Sequence, residues 1–219
     1  MTTLIFVRHG EADGNYIRRF HGFFNSNLTE KGLLQIERAA ERLSDTQIDA
    51  FYSSDLRRAY QTAEKVAEGR NMNITTDERL REINGGEWED VPWDDLPVRF
   101  PDSYADWLSE PYKLQMPGGE SMKEFSERLT SAVHDIVKKH EGETVCIACH
   151  GTAIRVLACY FYGFPLEKLT DVAWCDNASI TIVTYDNGAF TVALDGDNSH
   201  LKDISTIENQ AWWKDIQTK

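Results

Sequence analysis

The chain has 219 residues, and its 36 acidic against 23 basic side chains give a formal net charge of −13 at pH 7. This charge argues against a surface for nucleic acid or for an anionic membrane, because both are bound through positively charged patches. A site for a phosphorylated metabolite must then be a local cluster of cationic groups, which salt does not screen at short range.

The length is typical of one domain, and we expect a single domain over residues 1–219 with residues 84–119 as an inserted cap or lid. The sequence has no apolar run of the length needed to cross a bilayer. The N-terminus enters an apolar run without the basic stretch of a signal peptide, so we expect a cytoplasmic protein. Either a monomer or a homodimer is compatible with the sequence.

The first half of the chain alternates between strand and helix patterns, at Leu4–Val7, Thr29–Leu43, Ile48–Tyr52, residues 56–68 and Asn73–Thr76. In the first helix, Leu33, Ile36, Ala40 and Leu43 are expected on one apolar face. Asp55 is expected to cap the second helix. Leu56, Ala59, Thr62, Ala63 and Val66 are expected to be its buried residues.

The cap segment, residues 84–119, is rich in proline and tryptophan and predicts short helices and turns. A long helix is expected from Ser121 to His140, a strand at Thr144–Cys149 and a helix at Thr152–Tyr162. Asp186-Asn187-Gly188 predicts the turn of a hairpin between strands at 179–185 and 189–194. The tail with Trp212 and Trp213 fits either a last helix or a loose end. The whole pattern predicts a three-layer α/β/α sandwich, with a mostly parallel sheet and an antiparallel edge hairpin.

Three of the predicted strands end on residues that can bind anions: Arg8-His9-Gly10, Ser53 through Arg58, and His150-Gly151. Open α/β sheets bind ligands at the carboxyl ends of their parallel strands, so we expect these residues to converge. Clustered cationic groups push an imidazole toward its neutral form, which a nitrogen nucleophile requires. Arginine guanidinium groups bind phosphoryl oxygens through two hydrogen bonds at once.

The segment Cys146-Ile-Ala-Cys149-His150 matches the C-x-x-C-H pattern of covalent haem attachment. Its two cysteines end an apolar run that predicts a buried strand, in which side chains three positions apart point to opposite faces. We therefore expect two buried thiols, with only His150 in the site.

The motifs, taken in order, resemble the histidine phosphatase superfamily, which includes the cofactor-dependent phosphoglycerate mutases. The matching segments are Leu4 to Asn15 around Arg8-His9-Gly10-Glu11, 25–32, Ser53-Ser54-Asp55-Leu-Arg-Arg58, Leu80-Arg81-Glu82, Gly86-Glu87-Trp88-Glu89, 117–121 and Cys149-His150-Gly151. The sequence departs from the family pattern at Ala12, His21, Asn25, Asn27, Asp90 and Cys149. These departures flank the expected phosphate site, so they affect substrate identity and loop geometry.

The resemblance implies a role for each matching residue. His9 would attack phosphorus and become phosphohistidine, and Arg8, Arg58 and His150 would bind the phosphoryl oxygens. Glu82 would protonate the leaving oxygen and then take a proton from water. Further phosphate or substrate contacts are expected at Asn15, Gly10, His21, Gly22, Gly151 and Thr152. His21 could equally be an exposed loop histidine. Because arginines supply the positive charge, neither a metal ion nor another cofactor is expected.

The expected activity is hydrolysis of a phosphomonoester of a small metabolite, such as a sugar phosphate, a phosphoglycerate or α-ribazole phosphate. A rival activity is phosphoryl transfer of the mutase type, which is less favoured because residues 84–119 are short for an elaborated mutase cap. A non-catalytic module that binds a phosphorylated ligand is a weaker candidate, because such a module would have lost an essential site residue. A metal-dependent hydrolase using His9, His21 and His150 is weaker still, because the sequence places no carboxylate ligand beside them.

Overall fold

The fold was analysed in a computed structural model, which describes residues 1–207; the tail with Trp212 and Trp213 lies outside them. A six-stranded sheet has the order β3-β2-β4-β1-β5-β6. Its strands are β1 (Thr2–Arg8), β2 (Ala50–Ser53), β3 (Ile74–Thr76), β4 (Thr144–Cys149), β5 (Ile180–Asp186) and β6 (Ala189–Asp197). The first four are mutually parallel, and β5 and β6 run antiparallel at one edge, as the sequence predicts.

Seven α-helices accompany the sheet within residues 1–207: α1 (Asp13–Tyr16), α2 (Glu30–Arg42), α3 (Arg57–Ala67), α4 (Leu96–Arg99), α5 (Pro101–Ser109), α6 (Met122–Lys139) and α7 (Gly151–Phe161). Shorter 3₁₀ helices lie at Glu78–Leu80, Gly86–Trp88, Pro111–Lys113, Leu166–Asp171 and Lys202–Ile204. Of these described helices, none is long and apolar enough to cross a membrane.

The sheet separates two apolar cores, because alternate side chains of each strand face opposite layers. In β1, Leu4 and Phe6 join the core beneath α6 and α7, whereas Ile5 and Val7 join the core beneath α2 and α3. The three-layer α/β/α sandwich is therefore confirmed. Cys146 and Cys149 also fall in opposite cores, as strand geometry predicts.

Two details of the predicted helices are wrong. Asp55 does not cap α3. The N-cap residue is Leu56, which makes no side-chain hydrogen bond to the helix. The Asp55 carboxylate instead accepts a 2.6 Å hydrogen bond from Nε of Arg81. In α2, Leu33 is 45% exposed, and the buried face runs through Gly32, Ile36 and Ala39 instead. The difference at Asp55 arises from its contact with Arg81, which lies 26 positions away in the sequence.

Residues 84–119 form α4, α5 and short 3₁₀ turns beside the carboxyl end of the sheet. Their core is continuous with that of the main layer, since Trp88 and Leu96 pack in the same apolar cluster as Phe125 of α6. Phe20 joins this packing, with ring centroids 5.4 Å from Trp88 and 5.9 Å from Trp107. This segment therefore covers one side of the rim where β1, β2 and β4 end.

Candidate active site

His9 is buried at the end of β1, and its backbone is fixed from two sides. Its N–H donates to the carbonyl of Cys149 at 3.0 Å, and its own carbonyl accepts from Nδ2 of Asn177 at 3.0 Å. Nδ1 of the ring lies 2.7 Å from the carbonyl oxygen of Gly10. A carbonyl oxygen can only accept, so Nδ1 carries the hydrogen and the lone pair lies on Nε2.

The Arg58 guanidinium lies against that lone pair, because its Nε–H donates to Nε2 of His9 at 3.3 Å. Three backbone carbonyls of the loop before α2 accept bonds from its Nη1 and Nη2 groups: Phe24 at 2.9 Å, Gly22 at 2.8 Å and His21 at 3.2 Å. Arg58 is 1% exposed. Its direction is thus set by backbone atoms rather than by a paired carboxylate.

Arg8 reaches the site from the preceding residue, and its Nη1 donates to the carbonyl of Cys175 at 2.6 Å. Its Nε is buried and has no hydrogen-bond partner within residues 1–207. A Cβ at Gly151 would lie 3.0 Å from the Arg8 Cζ. The glycine at the start of α7 therefore makes room for the Arg8 side chain.

His150 is fully buried behind His9, with ring centroids 5.2 Å apart. Its Nε2 lies 2.8 Å from Oγ of Ser54, whereas its Nδ1 has no partner in the described part of the chain. Buried polar atoms without partners are rare and call for an explanation, such as an ion that fills the site. Within residues 1–207, four buried polar atoms at or near the cavity have no partner: Arg8 Nε, His150 Nδ1, His21 Nδ1 and Ser26 Oγ. The first two belong to residues that are expected to bind phosphoryl oxygens.

Burial and neighbouring arginines keep both imidazoles neutral. Burial lowers the pKa of His9 well below its ordinary 6.5, and Arg58 and Arg8 lower it further. The same causes, burial and then Arg58, hold the pKa of His150 well below 6.5. Burial also lowers the pKa of Arg58 to about 10, so the guanidinium remains charged at neutral pH. The site is therefore cationic through its arginines, with a neutral imidazole at its centre.

Glu82 lies in the same cavity, and burial raises the pKa of its carboxyl above the ordinary 4.5. Oε2 accepts from the backbone N–H of Thr152 at 3.0 Å, and Oε1 accepts from the N–H of Ile83 at 2.9 Å. The guanidinium of Arg128 holds the Glu82 carbonyl at 2.7 Å. The group is thus fixed in position and biased toward the protonated form, as a general acid requires.

His21 is not an exposed loop histidine, because its side chain is only 6% exposed. Its Nε2 lies 3.2 Å from Oδ1 of Asp90, and its ring packs on Phe24 at 4.5 Å between centroids. Asp90 has a φ of +59°, a conformation that favours glycine. The two departures from the family pattern are therefore in contact. This pairing leaves His21 at the cavity wall, with its Nε2 beside the Asp90 carboxylate.

Of the other residues predicted to contact phosphate or substrate, some line the cavity and others support the residues that do. Asn15 and Gly151 line the cavity. Gly10 instead lets β1 approach α2, because a Cβ there would lie 2.5 Å from the carbonyl oxygen of Gly32. Gly22 supplies a carbonyl to Arg58. Thr152 also lines the cavity, and its backbone N–H donates to Glu82.

Asn177, which the sequence patterns do not mark, lines the cavity and donates from Nδ2 to the carbonyl of His9. It lies just before β5, and the start of an antiparallel strand meets the rim where parallel strands end. Ligands are expected at the carboxyl ends of parallel strands, so the start of an antiparallel strand is not marked as a site. A search for polar residues at the beginning of the hairpin strand would have found it.

The cavity has a volume of about 480 Å³, enough for a small metabolite. Its inner end is formed by Arg8, His9, Arg58 and Glu82, and its outer wall is largely aromatic, with Trp93, Tyr104, Trp107 and Trp174. Charged residues at the mouth pair with each other, since Nη2 of Arg18 lies 3.3 Å from Oδ1 of Asp94. The cationic inner end is thus the part of the cavity suited to an anion.

Comparison with known proteins supports this arrangement. Residues 4–198 match the family model of the histidine phosphatase superfamily (branch 1). Phosphoserine phosphatase 1 of Hydrogenobacter thermophilus is 32% identical, over 84% of this chain and 86% of its own. A probable phosphoglycerate mutase, GpmB of Proteus mirabilis, is also 32% identical, over 96% of this chain and 100% of its own.

Among solved structures, YhfR of Bacillus stearothermophilus superposes with a TM-score of 0.89 and 39% sequence identity. The match covers 92% of this chain and 100% of that one. The sequence motifs, the fold and these matches agree. The chain belongs to the histidine phosphatase superfamily.

Proposed function

We propose that this protein is a metal-independent phosphatase that hydrolyses phosphomonoesters of small metabolites through a phosphohistidine at His9. The observation that carries the proposal is the position of His9 Nε2. This atom lies 3.3 Å from Nε of Arg58, and His9 lines the same cavity as the buried Glu82. A neutral nucleophile, a fixed cation and a protonatable acid are the groups that phosphoryl transfer requires.

In the first step, Nε2 of His9 attacks phosphorus while the bond from phosphorus to the ester oxygen breaks. Glu82 gives its proton to that oxygen, so the leaving group departs as a neutral alcohol. Arg8, Arg58 and His150 hold the three remaining phosphoryl oxygens, whose negative charge they stabilise as the transition state spreads it. The anion also favours protonation of His150, whose imidazole is otherwise neutral.

In the second step, water attacks the phosphohistidine and the phosphorus–nitrogen bond breaks. The Glu82 carboxylate accepts a proton from this water, so the acid is restored as inorganic phosphate forms. The raised pKa of Glu82 favours the protonated form that the first step needs, and the carboxylate left by that step is the base of the second. Nε2 of His9 regains its lone pair, and the cycle closes without a metal ion.

Hydrolysis and mutase activity share the first step and differ in the acceptor, which is water in one case and a second phosphorylated molecule in the other. The relative from Proteus mirabilis, a probable phosphoglycerate mutase, favours the second possibility. The phosphoserine phosphatase relative favours hydrolysis. We favour hydrolysis because the cavity mouth pairs its Arg18 with Asp94 instead of presenting that cation to a second phosphate.

The deciding experiment is a screen of phosphorylated metabolites, including phosphoserine, phosphoglycerates and sugar phosphates, with and without 2,3-bisphosphoglycerate. Release of inorganic phosphate without the bisphosphate is expected. Isomerisation of phosphoglycerate that depends on the bisphosphate, without phosphate release, would establish the mutase instead. We further propose a cytoplasmic protein that is a monomer or homodimer. The net charge of −13 supports the absence of nucleic acid and membrane partners.

A further inference from the structure

The Glu89 carboxylate, which the proposed mechanism does not use, accepts four backbone N–H groups. Oε1 accepts from Phe23 at 2.7 Å and from Gly85 at 2.9 Å, and Oε2 accepts from Phe24 at 2.8 Å and from Gly22 at 3.1 Å. An ionised carboxylate has about four acceptor positions, so these bonds saturate it. Glu89 therefore fixes three successive residues of the loop before α2.

The same loop binds Arg58 with its carbonyl oxygens. The peptide that joins Gly22 to Phe23 donates its N–H to Glu89 at 2.7 Å and accepts from Nη2 of Arg58 at 2.8 Å. The peptide that joins His21 to Gly22 makes the same two contacts, at 3.1 Å and 3.2 Å. Two peptide groups thus lie between a carboxylate and a guanidinium, with their dipoles aligned from one to the other.

Such an arrangement strengthens both sets of hydrogen bonds, because each charge polarises the peptide toward the other. It also offsets the cost of burying Arg58, whose pKa is lowered by burial and raised by the negative charges of Glu82 and Glu89. No bond from Arg58 to Glu89 is needed. The loop carries the interaction, and it leaves the Nε–H of Arg58 free to point at His9.

We propose that Glu89 is a positioning residue that aims the Arg58 guanidinium at His9 and at the bound phosphoryl group. The proposal deepens the proposed function, on which it rests for the identity of the ligand. Glu89 acts only through the loop and Arg58, whereas Glu82 acts on the reacting atoms. The packing at Gly22 also shows how closely the loop approaches Glu89. A Cβ at Gly22 would lie 2.1 Å from the Ile83 carbonyl and 2.5 Å from Oε1 of Glu89.

The test is a double-mutant cycle that measures binding of inorganic phosphate by tryptophan fluorescence, with Trp93 and Trp107 in the cavity wall as reporters. Glu89→Gln keeps the side-chain size but removes the charge and replaces one of the two acceptor oxygens with an NH₂ donor. We expect phosphate affinity to fall about tenfold or more, as for hydrogen bonds that involve a charged group. The matched control, Glu87→Gln at an exposed site two residues away, should change affinity less than about twofold.

The decisive comparison is made in the Arg58→Gln background. If Glu89 acts through Arg58, then Glu89→Gln should lower the remaining affinity there by no more than about twofold. An equal loss in both backgrounds would show a general structural role and overturn the proposal. Circular dichroism and melting temperatures establish that each variant is folded. If Glu89→Gln does not fold, Glu89→Asp, whose shorter side chain cannot keep all four bonds, completes the same cycle.

Phosphate binding does not depend on turnover, so the two proposals fail separately. Absence of hydrolysis by the wild-type protein would contradict the proposed function while the cycle could still hold. Conversely, an active wild-type protein whose Glu89→Gln variant binds phosphate like Glu87→Gln would keep its function and lose this role for Glu89.

Discussion

Nε2 of His9 accepts a hydrogen bond from Nε of Arg58 at 3.3 Å, while Nδ1 of the same ring donates to the carbonyl of Gly10 at 2.7 Å. The ring is thus held in one tautomer and one direction before any ligand binds. Preorganisation of this kind removes the cost of orienting the nucleophile during the reaction. The same Arg58 hydrogen is available to a phosphoryl oxygen once Nε2 bonds to phosphorus.

The role of Glu82 as proton donor predicts an effect that depends on the leaving group. Glu82→Gln should lower kcat for alkyl phosphates such as phosphoserine by about 10²- to 10⁴-fold, because an alkoxide leaves poorly without a proton. For p-nitrophenyl phosphate the loss in the first step should be far smaller, since its phenolate leaves unaided. The values of kcat/KM on the two substrates, which report the first step alone, measure the difference, and equal losses of kcat/KM on both would exclude Glu82 as the acid.

The depressed pKa values of His9 and His150 predict how stability depends on pH. Both groups titrate near 6.5 when unfolded and well below that value when folded, so below pH 6.5 the unfolded state binds more protons. Their contribution to stability is therefore present above pH 6.5 and is lost as the pH falls. Each group should add a slope of up to about 1.4 kcal/mol per pH unit in this range.

Urea unfolding of the wild-type protein and of His150→Gln between pH 7 and pH 5 measures this slope. The free energy of unfolding of His150→Gln should depend less on pH than that of the wild type, by up to about 1.4 kcal/mol per pH unit. The surface variant His134→Gln, in which an exposed ring is replaced, is the matched control. An unchanged slope in His150→Gln would mean that this histidine takes up its proton in the folded state as readily as in the unfolded one.

Gly151→Ala should separate activity from stability. Alanine is favoured over glycine in a helix by up to about 1 kcal/mol, which offsets part of the crowding against Arg8, so the melting temperature should change little. The added Cβ would lie 3.0 Å from Cζ of Arg8, which is tied to the Cys175 carbonyl and can move little. We expect kcat/KM to fall about tenfold through displaced phosphate contacts. A variant as active as the wild type would show that Arg8 tolerates the shift.

Chelators should not affect the reaction. The proposed mechanism uses Arg8 and Arg58 where other phosphatases use divalent cations, so EDTA should leave kcat and KM unchanged after dialysis. The control is the same assay with added Mg²⁺ or Zn²⁺, which should not increase the rate. Strong inhibition by EDTA that a metal ion reverses would favour a metal-dependent hydrolase instead.

The sequence is sufficient to predict the main layers and the central cluster, for physical reasons. Strands that are apolar on both faces, such as β4, must be covered by helices on both sides. Because β1, β2 and β4 are parallel, the residues after them necessarily converge, and this brings His9, Arg58 and His150 together. The residue types at these strand ends then limit the chemistry to phosphate binding.

Contacts made through the backbone are beyond sequence reasoning. Glu89 binds four N–H groups, and any residue except proline supplies one, so no pattern of side chains marks its partners.

The helix cap predicted at Asp55 is wrong because its partner Arg81 lies 26 positions away, where no local pattern can reveal it. Asn177 escapes prediction because the start of an antiparallel strand is not one of the parallel strand ends at which ligands are expected.

The central claim, that His9 carries the phosphoryl group, is tested most directly by trapping the intermediate. Wild-type protein is mixed with a ³²P-labelled phosphomonoester, denatured within milliseconds in alkali, and digested to locate the label. We predict an acid-labile, alkali-stable phosphate on the peptide that contains His9, and none in the His9→Asn variant, which should also lose turnover. Label on another residue, or full turnover by His9→Asn, would contradict the account.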